Sequence, residues 1–92
     1  MAEPGFDKEA MRLEVQSHVA AILKRKKVKI EPADIVEGVS LTTQLGIDSL
    51  DILQLVATLE KSHGIKIPEG ELKSMDDLRG VLGAMEKNWS KR

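Results

Sequence analysis

At 92 residues and 10.2 kDa the chain is long enough for one small domain and too short for a two-domain enzyme. Hydrophobic residues are 41% and charged residues 32%, the balance of a soluble globular chain, and this excludes intrinsic disorder. With no Cys, two His and a net charge of −1, disulfide frameworks, thiolate metal sites and histidine-rich metal sites are excluded, and net charge alone names no partner.

The first ten residues show neither a basic n-region nor an apolar stretch, so no secretory signal is expected and a cytoplasmic protein is the default. Asp7 is placed to cap a first helix. Met11, Val15, Val19, Ile22 and Leu23 then form one apolar stripe of helical period. That helix should end near Lys24–Lys27, where cations suit the negative end of the helix dipole. Pro32 prevents continuation. From about Val28 to Ile47 the chain reads as a long structured loop, pinned by Ile30, Ile35, Val39, Leu41 and Leu45.

Asp48 is a good N-cap for a second helix, and Asp51 completes a capping-box-like pair. Leu50, Leu53 and Ala57 lie along one line of this helix, and Ile52, Leu55, Val56 and Leu59 along the next. A broad apolar face follows, in which Leu50, Leu53, Val56 and Leu59 are expected to meet Val15, Val19 and Ile22 of the first helix. Gly64 reads as the terminating glycine, and Pro68 prevents restart. A short turn around Glu69–Leu72 precedes a last helix capped by Ser74 and Asp77, with Met75, Leu78, Val81, Leu82 and Met85 as its stripe. Gly80 and Gly83 each cost that helix about 1 kcal/mol relative to Ala. The expected fold is all-α: a small four-helix bundle of three longer helices and one short one, with a long loop between the first two. One domain spans residues 1–92. Residues 1–6 and 88–92 are expected to fray, although the sequence leaves the packing of Trp89 open. No apolar run approaches the roughly 18 residues of a membrane span.

Charge is segregated along the chain. Lys24, Arg25, Lys26, Lys27 and Lys29 form a basic knot. Residues 30–60 then hold Glu31, Asp34, Glu37, Asp48, Asp51 and Glu60 with no Lys or Arg. The knot lacks interleaved aromatics to stack bases, so nucleic-acid binding is not expected, and a solvated helix end is the simplest account, with a partner or membrane contact as the alternative. His63 is expected to be solvated at the end of the second helix.

Ser49 is the chemically interesting residue. As the first helical residue after Asp48 it sits where unpaired N–H groups and the positive dipole end favour an attached phosphate. Serine also simply favours helix starts, so position alone does not decide its role. A hydrolytic role would need a general base about 3 Å away. His63 lies 14 residues along the same helix, about 21 Å at 1.5 Å per residue. No Gly-x-Ser-x-Gly elbow surrounds the serine, and capping accounts for Asp48 and Asp51.

The stretch Leu45-Gly46-Ile47-Asp48-Ser49-Leu50-Asp51-Ile52-Leu53-Gln54-Leu55-Val56 closely resembles the attachment motif of acyl carrier proteins. The resemblance continues through Leu59-Glu60 and Gly64-Ile65-Lys66-Ile67-Pro68, and chain length and helix order resemble that family too. It implies a carrier and not an enzyme. Ser49, flanked by Asp48 and Leu50, would hold a 4′-phosphopantetheine arm added from coenzyme A by a phosphopantetheinyl transferase. The arm's thiol would bear acyl intermediates of fatty-acid, lipid or polyketide-type biosynthesis, which explains thiol chemistry in a chain without Cys. Acyl-loading and acyl-transfer enzymes would be the partners, docking on Asp48, Asp51, Gln54 and Glu60, and the protein would act as a monomer. The alternative is an unmodified helical adaptor of the same fold. The family's second helix is usually more acidic than this one. Here Gln54, Lys61, Ser62, His63 and Lys66 depart from that pattern, so a specialised carrier is expected in place of one serving the housekeeping fatty-acid synthase.

Overall fold

The computed structural model describes residues 5–89, which are helical throughout apart from loops and turns, with no strand among them. Helix α1 spans Lys8–Arg25, and its start follows from Asp7, whose carboxylate accepts the Ala10 N–H at 3.1 Å. Val15, Val19, Ile22 and Leu23 are buried along the expected stripe, with Met11 packed at its edge. At the other end the Lys27 N–H donates to the Lys24 carbonyl and the Val28 N–H to the Leu23 carbonyl. This is a Schellman closure in which Lys27, at φ 65°, occupies the left-handed position usually given to glycine.

The connection to the second helix contains one 3₁₀ turn, Pro32–Asp34, and is fastened at several points. Ile35 and Leu41 are fully buried, with Ile30 and Leu45 packed against the core. The buried Gln16 amide donates to the Ile35 carbonyl at 2.8 Å. Further on, the hydroxyls of Ser40 and Thr42 both donate to the Asp76 carboxylate, and the Leu41 N–H donates to the Asp76 carbonyl at 2.6 Å. A segment rich in polar residues is thus held by side chains answering its own backbone and hydroxyl groups.

Helix α2 spans Ser49–His63 between the two predicted caps. The Asp51 N–H donates to Asp48 at 2.9 Å, and the Asp48 N–H donates back to Asp51 at 3.3 Å. Gly64 closes the helix at φ 65°. The buried stripe is Ile52, Leu55, Val56 and Leu59, whereas Leu50 is 73% and Leu53 45% exposed. This corrects the expectation that Leu50 and Leu53 face α1. At 3.6 residues per turn, Leu50 stands about 200° from Ile52, so only one of the two apolar lines can face inward.

After Pro68 a 3₁₀ helix, Glu69–Ser74, leads to Met75, and helix α3 spans Leu78–Trp89. Asp77 accepts the Gly80 N–H at 2.7 Å. Met75, Leu78, Val81, Leu82 and Met85 are all buried as predicted, and α3 is the helix against which α1 lies most extensively. Gly80 is not the pure liability that helix propensity suggests. A Cβ there would lie 1.6 Å from the Ser74 carbonyl oxygen, so only glycine lets the 3₁₀ helix approach α3. The four expected helices are therefore present, three longer and one short, joined by the long first loop.

The expected fraying is corrected at both ends. Phe6 and Trp89 are buried and meet edge-on, with ring centroids 5.1 Å apart. Asn88 is also buried and donates to Glu71 and to the Ala84 carbonyl. The only two Phe, Trp or Tyr residues of the chain hide their surfaces against each other, which holds the ends together. Of the rest of those predicted frayed ends, Gly5 is exposed and residues 1–4 and 90–92 lie outside the described residues. His63 is likewise not solvated. Its Nε2 lies 2.7 Å from Glu14 of α1, and its ring tilts against Trp89 at 5.3 Å. Among the described residues no helix is long and apolar enough to cross a membrane.

Candidate attachment site at the start of the second helix

Ser49 is the first residue of α2 and is exposed. Of the first-turn N–H groups, that of Asp51 is taken by the Asp48 side chain and that of Ile52 by the Asp48 carbonyl at 3.1 Å. The amides of Ser49 and Leu50 remain as the orphan donors every helix start leaves. They lie at the positive end of a helix of 15 residues, beside the serine hydroxyl. On one side of Ser49 opens a groove of about 500 Å³ with Ile52, Leu53, Leu72 and Met75 among its walls and Lys73 and Asp76 at its rim. The Asp76 hydroxyl cluster therefore does two things: it fastens the long loop and lines the same groove as Ser49.

The antiparallel course of α1 and α2 brings a further residue to the site. Lys26, the C-cap of α1, reaches Asp51 at 2.9 Å and Asp48 at 3.5 Å. Its hydrogen bond to Asp51 raises the Lys26 ammonium above its ordinary 10.5, and the same bond holds the Asp51 carboxyl below its ordinary 3.8. Arg25 lies next to α2 as well, sharing a small cleft with Gln54 and Thr58. The basic knot is thus a neighbour of the serine and not a remote helix end. Sequence reading missed this. The available signal was the abrupt change from five cations to an all-acid segment, but 24 residues separate Lys26 from Asp51.

The other expected site residues are distributed as follows. Leu50 projects into solvent beside Ser49. Asp48 is open, whereas Asp51 is mostly covered by its cap and by Lys26. Gln54 is exposed one turn along. Glu60 is only half-exposed, because its carboxylate accepts the Ile67 N–H at 2.8 Å and so pins the turn after Gly64. Both histidines converge on Glu14, His18 at 3.6 Å and His63 at 2.7 Å. No group of three or more metal-ligating side chains gathers among the described residues.

An exposed hydroxyl at a helix N-terminus, beside an apolar groove, has room for an attached group. The family profile of the phosphopantetheine attachment site matches residues 14–84. An acyl carrier protein of Thermotoga maritima is 30% identical over 78 residues, covering 85% of this chain and 95% of that one. One from Zymomonas mobilis is 30% identical over 59 residues, covering 64% of this chain and 76% of its own. One from Rhodopseudomonas palustris is 34% identical over 59 residues, covering 64% and 75%. The chain belongs to the acyl carrier protein family, whose members are carriers and not catalysts, and its cofactor is 4′-phosphopantetheine. The first turn of α2 fits such a group: orphan amides suit a phosphodiester, and the adjoining groove suits an apolar chain.

Proposed function

We propose that Ser49 is the attachment residue and that the protein presents acyl intermediates to partner enzymes of fatty-acid, lipid or polyketide-type biosynthesis. The observation that carries this reading is the exposed Ser49 hydroxyl at the first position of α2, with the Ser49 and Leu50 amides beside it. When bound, the arm supplies a thiol that holds the acyl group as a thioester. The chain's own residues do the rest. Asp48 holds the helix start rigid, the first-turn amides face the phosphodiester, and Leu50 offers a partner an apolar contact next to the reacting group. The transferase and the acyl-handling enzymes approach over Asp48, Asp51 and Gln54, with Glu60 further along. A specialised pathway is favoured over housekeeping fatty-acid synthesis. Two observations support this: Lys26 bridges the two acids beside Ser49, and Lys61 and Lys66 add cations at and just beyond the far end of α2. In this reading the carrier acts as a cytoplasmic monomer.

The test is intact mass after incubation with coenzyme A and a phosphopantetheinyl transferase of broad carrier range. The native chain should gain one arm and Ser49→Ala none. Ser49→Ala should stay folded, because the cap belongs to Asp48. A gain in the Ala variant would overturn the assignment. A native chain that never loads would favour the unmodified adaptor.

A further inference from the structure

A carrier's serine is reached only by an enzyme that lies over the first turn of α2. The carboxylates on that turn are Asp48 and Asp51, and charge complementarity asks such an enzyme for cations. The chain has already supplied one. Lys26 stands at 2.9 Å from Asp51 and 3.5 Å from Asp48, placed by the Schellman closure that fixes the end of α1. It reaches both acids while staying a third exposed, so it is held by the pair and not by burial. Around it, Lys24, Arg25, Lys27 and Lys29 are exposed and have no carboxylate within ion-pair distance among the described residues.

We propose that Lys26 is a specificity-determining residue of this carrier: it occupies Asp51 and Asp48 in place of a partner's cation and so disfavours enzymes that read those two acids. This rests on Ser49 being the attachment residue. Lys26 acts through the acids and not on the reacting atoms. An enzyme whose Arg or Lys engages Asp51 must first displace Lys26, and its approach is opposed by the knot. An enzyme that docks through apolar contact with Leu50 and Leu53 is not hindered. Lys26 is a third exposed and Asp48 is open, so the bridge lies at the surface and a partner can displace it: the effect is discrimination and not exclusion.

The experiment measures transfer of the arm from coenzyme A to the native chain, Lys26→Gln, Lys26→Arg and Lys24→Gln. It uses a phosphopantetheinyl transferase with a basic carrier-binding surface, across a series of salt concentrations. In Lys26→Gln the KM for the carrier should fall about two- to fivefold with kcat unchanged, the size expected for an exposed ion pair. Its rate should also fall more steeply with salt, because two uncovered acids are screened where a neutralised pair is not. Lys26→Arg should restore native behaviour. Lys24→Gln, which removes the same charge without the bridge, should change KM by less than half as much. Thermal melting of each variant confirms that the fold is intact. An unchanged KM in Lys26→Gln, or an equal change in Lys24→Gln, would overturn the inference while leaving Ser49 as the attachment residue. Failure of every form to load would remove the attachment reading and this inference with it.

Discussion

Phe6 and Trp89 lie edge to face at 76° with centroids 5.1 Å apart, so the residue before the α1 cap is packed on the last residue of α3. His63 extends this contact to the end of α2 and, through Glu14, back to α1. One end of the bundle is therefore closed by a small cluster drawn from all three α-helices. Ser49 lies at the other end of α2. Phe6→Ala should cost about 3 kcal/mol, as truncation of a buried ring does. Urea unfolding measures it. A loss below about 0.5 kcal/mol, ordinary for a surface change, would mean that the ends do not lock the fold.

The face of α2 that enters the core is decided by Leu59 and Leu50. Leu59 is fully buried and Leu50 is the most exposed large hydrophobic residue among the described residues. Leu59→Ala should cost about 2–5 kcal/mol, a large part of a small domain's stability, and Leu50→Ala less than about 0.5. Equal losses in the two variants would show that both apolar lines are buried. Leu50→Ala should instead weaken use of the carrier by its partners.

Much of this architecture was legible beforehand. Asp7, the Asp48–Asp51 box and Gly64 each solve a local problem, the unpaired groups of a helix end, and local problems are visible in local sequence. The stripe of α3 was equally plain, because polar residues flank it. On α2 apolar residues cover two lines on nearly opposite sides, and periodicity cannot say which faces inward when both are apolar. The Lys26 bridge, the ring contact of Phe6 with Trp89 and the pairing of His63 with Glu14 all join residues far apart in the chain. Nothing in their neighbours announces them. Ser49 was legible in its position, but the cation that covers its flanking acids was not.

Gly80 and Gly83 are alike in sequence and opposite in structure. A Cβ on Gly83 meets open space, so Gly83→Ala should stabilise the protein by roughly 1 kcal/mol through better helix propensity. A Cβ on Gly80 collides with the Ser74 backbone, so Gly80→Ala should destabilise it and loosen the 3₁₀ helix from α3. Melting temperatures moving in the same direction would contradict the close approach.

Asp76 makes stability depend on acid pH. The Thr42 and then the Ser40 hydroxyl hydrogen bonds hold its carboxyl below the ordinary 3.8. A carboxyl lowered in the folded state stabilises that state above its unfolded value, and the gain is lost as pH falls through the folded value. The contribution should be complete above about pH 5 and decline below the ordinary value. In Asp76→Asn the stability difference from the native chain should therefore shrink between pH 6 and pH 3, as read by urea midpoints. A constant difference would mean that the hydroxyls do not favour the ionised carboxyl over the protonated one in the folded state.

The groove beside Ser49 also predicts what happens to cargo. Its walls of Ile52, Leu53, Leu72 and Met75 are aliphatic or thioether side chains without rings, which adjust to an inserted chain by changing rotamers. An acyl chain held there is bound only by the folded state, so unfolding must return it to water and the native state gains by that amount. Each buried CH₂ is worth about 0.8 kcal/mol, so the gain should grow with chain length until the groove is full. At about 500 Å³ the groove has room for a chain of moderate length, after which added carbons project outward and add nothing. Melting temperature should therefore rise from the phosphopantetheinylated form through short to medium acyl forms and then level off. Leu72→Ser should flatten that rise without altering loading at Ser49, since Leu72 lines the groove and not the helix start. Identical melting curves for all chain lengths would place the cargo in solvent.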